Sequence, residues 1–139
     1  MKKFLTIFMA TLMLVSIAMF ATGCGISDNW RETFSELADA GYDVYRTTDA
    51  YEIEENIEYF DMYVDGDSVE CIIEAYRGKQ AIFIVFCKDK ETAKDLVNQA
   101  EDSIYEFADL FEISKSKIEI GRDGTVAYIG TKDAIKAAK

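Results

Sequence analysis

The sequence predicts an α+β domain: one antiparallel sheet with its helices on one face. Three observations carry this expectation. Apolar residues recur at helical spacing in three separate segments, the pattern of helices that bury one side. Two strand-like runs, 69–77 and 80–88, are joined only by Gly78-Lys79, the length of a two-residue hairpin turn. A second pair of strand-like runs, 117–121 and 125–130, lies near the end of the chain.

The elements follow in order. Trp30, Phe34, Leu37 and Ala38 make one apolar face over 30–40, with Asp28 or Asn29 placed to cap the helix and Gly41 to end it. A short strand is expected over 42–46. Ile53, Ile57, Phe60 and Val64 define a second helix from about 49 to 63, with Glu52, Glu54, Glu55 and Glu58 on its outer side. Asp65-Gly66-Asp67-Ser68 is a turn by composition. After the central hairpin, Ala93, Leu96, Val97, Ala100, Ile104, Phe107 and Phe111 form a continuous stripe down one long helix over 89–111. A last hairpin is expected around Arg122-Asp123, then a short helix from about Thr131.

This order contains β-α-β-β-α-β, the succession of the ferredoxin-like plait, with an extra N-terminal helix and an extra C-terminal hairpin strand extending the sheet. The two-residue turn pairs Arg77 with Gln80. Ile73 and Ala75 then share a face with Ile82, Ile84 and Phe86, which is apolar throughout and expected to take the helices. The other face mixes Glu70, Glu74 and Tyr76 with Ile72, Phe83 and Val85. It is expected to stay open to water, a partner or a second copy. The same register sets Cys71 opposite Phe86 and Cys87 opposite Glu70. The two thiols should therefore point to opposite faces and remain unbonded, although a three-residue turn would reverse this.

The N-terminal segment has a different character. Lys2 and Lys3 precede an uncharged, mostly apolar run over 4–20, and Ala21, Thr22 and Gly23 lead into Cys24. The small residues ending in Gly23-Cys24 resemble the lipobox of bacterial lipoprotein signal peptides, with Ala21 where that family most often has Leu. The resemblance implies cleavage before Cys24, a diacylglyceryl thioether on Cys24, and a domain held at the outer face of the cell membrane. It divides the chain into a signal peptide over 1–23, the lipidated Cys24 with a short tether to residue 29, and one extracytoplasmic domain over 30–139. Two chains of lipid suffice for stable attachment where one is marginal. An uncleaved anchor is the rival: 4–22 would span about 28 Å as a helix, close to a bilayer core. Plain secretion is a third reading. The tail Gly121-Arg122-Asp123-Gly124-Thr125-Val126-Ala127-Tyr128-Ile129-Gly130-Thr131-Lys132 resembles small uncharacterised lipoproteins of Gram-positive anaerobes, a likeness that implies no activity.

Charge narrows the function. Without Lys2 and Lys3, 13 basic residues face 26 acidic ones. That balance argues against nucleic acid, which needs a basic face, and against an electrostatic hold on anionic lipid. The chain has no His and no Pro. It thus lacks the commonest general base and transition-metal ligand.

Candidate chemistry is thin. Ser114-Lys115-Ser116-Lys117 fits the S-x-x-K of penicillin-recognising enzymes, but its S-D-N and K-T-G companions are missing, so a solvated loop is the better account. Asp61, Asp65, Asp67 and Glu70 surround Gly66 without the spacing of a calcium loop. Carboxylate pairs suited to glycoside hydrolysis carry no signal among 26 acids. Tyr51, Tyr59, Tyr63 and Tyr76 lie among acidic neighbours, either as edge-of-core residues or as a recognition surface. The expectation is a non-catalytic domain that binds an envelope protein or a small ligand, with no catalytic, cofactor-binding or metal residues. An envelope hydrolase working through carboxylates alone is the alternative.

Overall fold

The computed structural model describes residues 25–139. Cys24 and the signal-like segment before it lie outside the described residues. The elements are α1 (Trp30–Asp39), β1 (Asp43–Thr47), α2 (Ala50–Glu58), β2 (Val69–Arg77), β3 (Gln80–Cys87), α3 (Lys90–Ala100), α4 (Ile104–Leu110), β4 (Ile118–Asp123), β5 (Val126–Thr131) and α5 (Lys132–Ala137). All five strands form one antiparallel sheet in the order β1-β2-β3-β5-β4.

The fold class is α+β as expected, but the arrangement differs from the plait in two respects. A split β-α-β would place another strand between β1 and β2. Here they are direct neighbours, and β1 is an edge strand. The last strand, β5, lies inside the sheet instead of extending it, leaving β4 at the other edge. Strand composition accounts for both. β1 is five residues, DVYRT, with no buried position, and β4 is largely polar. β5 is buried at five of its six positions, as an interior strand must be.

The second correction concerns the layers. Helices cover both faces of the sheet, not one. Ile72, Phe83, Val85 and Ile129 pack with Ile53 and Ile57 of α2, Leu96 of α3 and Phe107 of α4. On the other side, Ile73, Ile82, Ile84 and Phe86 pack with Leu37 of α1 and with Ala134 and Ile135 of α5. The face expected to be open is therefore closed over Phe83, which is 4% exposed, while Ile84 on the opposite face is 0% exposed. The long helix packs on the Phe83 side, not on the Ile84 side. In β3 seven of eight residues are buried, the signature of a strand covered twice.

Local chemistry sets the boundaries. The side chains of Asn29, Asp49 and Asp89 accept hydrogen bonds from the first turns of α1, α2 and α3. Gly41 ends α1 at φ +88°, a conformation that costs glycine little. The expected long helix is broken over 101–103. There Asp102 and Ser103 donate backbone bonds three residues back, and the buried Ser103 hydroxyl donates to the Phe60 carbonyl. The Ser103 hydroxyl also reaches the Gln99 carbonyl four residues back at 3.5 Å, a local bond by which serine loosens a helix. The last hairpin turns on Gly124-Thr125, two residues later than the sequence suggests, with Gly124 at φ +61°.

The β2–β3 register follows the two-residue turn, pairing Arg77 with Gln80 and Cys71 with Phe86. A bulge at Glu70 then pairs Cys87 with Val69. Both thiols are free and buried, Cys71 among the α1-side core and Cys87 among the α3-side core.

The first described residues are not a loose tether. Ile26 is 3% exposed and belongs to the α1-side core. Its N–H donates to Asp123 Oδ2 at 2.7 Å. Among the described residues no helix is long and apolar enough to cross a membrane.

Candidate functional site

The strongest candidate is a groove on the α3-side face, walled by α2 and the end of α4. Helical spacing puts Glu55 and Tyr59 on one side of α2, four residues apart. Alternation along β2 puts Glu74 and Tyr76 on one face of the sheet, at the floor. The end of α4 contributes Leu110 and Phe111. These side chains line a cavity of about 210 Å³ together with Asn56, Phe60 and Phe83. The β1–β2 register sets Tyr45 opposite Glu74, which brings its ring to 6.2 Å from that of Tyr76.

The rings form a continuous series. Tyr76 lies 5.2 Å from Phe111, Phe111 lies 4.8 Å from Phe107, and Phe107 lies 6.1 Å from Phe60. Tyr59 meets Phe60 edge-on at 5.4 Å. Such spacings are those of attractive aromatic pairs. The series runs from the core to the surface, where Tyr59 is 66% exposed. An exposed tyrosine seated on a buried phenylalanine is held in place at its base and free to meet a ligand at its tip.

Electrostatics in the groove are one-sided. The lining carries two carboxylates and no basic side chain. The Tyr76 hydroxyl donates to Glu74. Burial first, and then that bond, push the Tyr76 phenol above its ordinary range, so it stays a donor. Tyr51, on the same helix as Glu55, is also raised, chiefly by its hydrogen bond to Glu55.

The sequence candidates fall elsewhere. Ser114 and Lys117 line a different cleft, of about 360 Å³, with Lys79, Lys132 and Asp133. Ser114 is hydrogen-bonded to Ser116, Lys115 reaches Tyr105, and the segment 115–117 is a 3₁₀ turn before β4, not the opening of a helix. The lysines of this cleft are exposed, and one of them pairs loosely with Glu119. Asp65 is used as a cap, accepting from Asp67 N–H, and Gly66 N–H is bound by Glu54. Among the described residues no group of three or more His, Cys, Asp or Glu side chains is placed to hold a metal. Cys24 lies outside the described residues. A gap of about 20 Å³ beneath α3 has room for no more than a water.

Of the four tyrosines singled out in the sequence, Tyr59 and Tyr76 line the groove, and Tyr51 lies one turn before Glu55 on α2. Tyr63 instead borders a cleft beside α3. Phe111 was legible only as part of a helical stripe; the break at 101–103 sets its course over the sheet. No protein-family model matches the chain, and neither does any curated protein or solved structure.

Proposed function

We propose that this chain is an extracytoplasmic lipoprotein, cut before Cys24 and anchored to the cell membrane by lipid on that residue, whose domain binds a small ligand without transforming it. The anchor rests on Gly23-Cys24 after a basic start and one apolar run. Binding rests on one observation: the groove between α2 and α4, where Tyr59, Tyr76 and Phe111 converge with Glu55 and Glu74. Concave sites lined by rings with a few polar groups are where small ligands bind. Labelled fatty acid should enter the wild-type protein and not Cys24→Ala; equal labelling overturns the anchor. In a small-molecule screen by NMR, ligands should perturb the Tyr59 and Leu110 resonances first. Perturbations confined to other surfaces overturn the binding site.

A further inference from the structure

We propose that the groove takes an organic cation, an ammonium group carrying small alkyl substituents. This deepens the binding reading above and rests on it. Three features converge. The walls are aromatic, and a ring face attracts a cation through its quadrupole. The only formal charges on the lining are Glu55 and Glu74. An anion would meet those carboxylates with no basic side chain to balance them, and a neutral ligand would leave them without a counter-charge. Finally, Glu74 is already oriented. The Tyr76 hydroxyl occupies one of its acceptor positions and leaves the rest for a donor or a positive charge. The cavity, about 210 Å³, suits a headgroup better than a drug-sized molecule. Tyr59 and Phe111 would flank the alkyl groups while Glu55 and Glu74 neutralise the charge.

The test uses the full chain in non-ionic detergent, followed by the methyl resonances of Leu110 and the ring resonances of Tyr59. Two probes of the same shape are titrated: choline and its neutral carbon counterpart, 3,3-dimethylbutan-1-ol. Choline should bind about tenfold more tightly, through cation–π attraction together with the two carboxylates. The preference should fall several-fold in Glu55→Gln/Glu74→Gln and persist in full in Glu52→Gln, which removes a charge from the same helix outside the groove. Tyr59→Leu, at an exposed position that keeps its apolar bulk, should weaken choline several-fold and leave the alcohol nearly unchanged. Equal binding of the two probes in the groove overturns the cation and leaves the binding site standing. A loss of preference in Glu52→Gln equal to that in the double variant also overturns it, because net charge alone would then be at work. If neither probe moves Leu110 or Tyr59, both the cation and the groove fall.

Discussion

Cys71 and Cys87 show what burial alone does to a reactive group. Each sits on a central strand with its sulfur packed among apolar side chains, and desolvation pushes each thiol up to about 12. The thiolate is the nucleophile, so both should resist alkylation in the native protein at pH 8 and react fully in denaturant. Intact mass of Cys24→Ala protein after brief treatment with iodoacetamide reads this directly; one or two adducts on the folded protein would contradict it. The sign of the pH effect follows. The folded state holds these protons more tightly than the unfolded chain does. The stability they contribute is complete below the unfolded pKa near 9 and is lost as pH rises toward 12. Urea melts between pH 8 and 11 should show a falling midpoint, and Cys71→Ala should flatten that fall. Their opposite facing was legible from the turn length. The pairing of Cys87 with Val69 was not, because the bulge at Glu70 leaves no mark in composition. Ser103 makes a similar point. Its hydroxyl satisfies the buried Phe60 carbonyl, so Ser103→Ala should cost about 1–3 kcal/mol in a denaturant melt.

At the scale of elements, the central hairpin and its two faces could be read from residue alternation, yet the covering of those faces could not. Glu74 and Tyr76 made one face look mixed, and mixed faces are usually wet. The structure shows those two side chains at the groove, while Ile72, Phe83 and Val85 on the same face lie under α2, α3 and α4. A sign against an open face was nevertheless present in the sequence. β3 reads Ala-Ile-Phe-Ile-Val-Phe-Cys without a polar interruption, and a strand with one wet face alternates. The N-terminal helix carried an apolar stripe that needed a surface, and the Ile84 face supplies it. The consequence is measurable. Phe83→Ala should cost about 3–5 kcal/mol and Ile84→Ala about 2–5 kcal/mol, the usual range for emptying a packed core position. A one-sided sheet would instead make Phe83→Ala mild. Leu37→Ala, which empties only the α1 side, should also cost about 2–5 kcal/mol. Urea midpoints of the three variants at constant slope decide between one layer of helices and two.

At the scale of the whole molecule, the position of Ile26 gives the domain a direction. Its side chain is buried and its N–H is held by Asp123, and a side chain added at Gly25 would crowd that same carboxylate at 3.0 Å. Cys24 precedes Ile26 by two residues, so at ~3.6 Å per residue it lies within about 7 Å of that point along the chain. Asp123 begins the β4–β5 turn. Antiparallel pairing puts that turn at the same end of the sheet as Cys87, Val69 and Thr47, and puts Gly78-Lys79 at the far end. On the proposed lipid anchor at Cys24, the Thr125 end would face the headgroups and the Lys79 end would face outward. Glu74 and Tyr76 lie in the half of β2 nearer Arg77, so on the proposed anchor the groove would sit in the half of the domain farther from the membrane. Both native thiols within the domain are buried, which permits labelling at single introduced cysteines. In lipidated protein on vesicles, a fluorophore at Thr125→Cys should be quenched strongly by a quencher carried on lipid headgroups, and one at Lys79→Cys only weakly. Asp123→Ala removes the partner of the Ile26 N–H and should narrow the difference. Equal quenching at the two sites in the wild-type background would mean that the domain turns freely about its anchor and that the Ile26–Asp123 contact does not hold at the membrane.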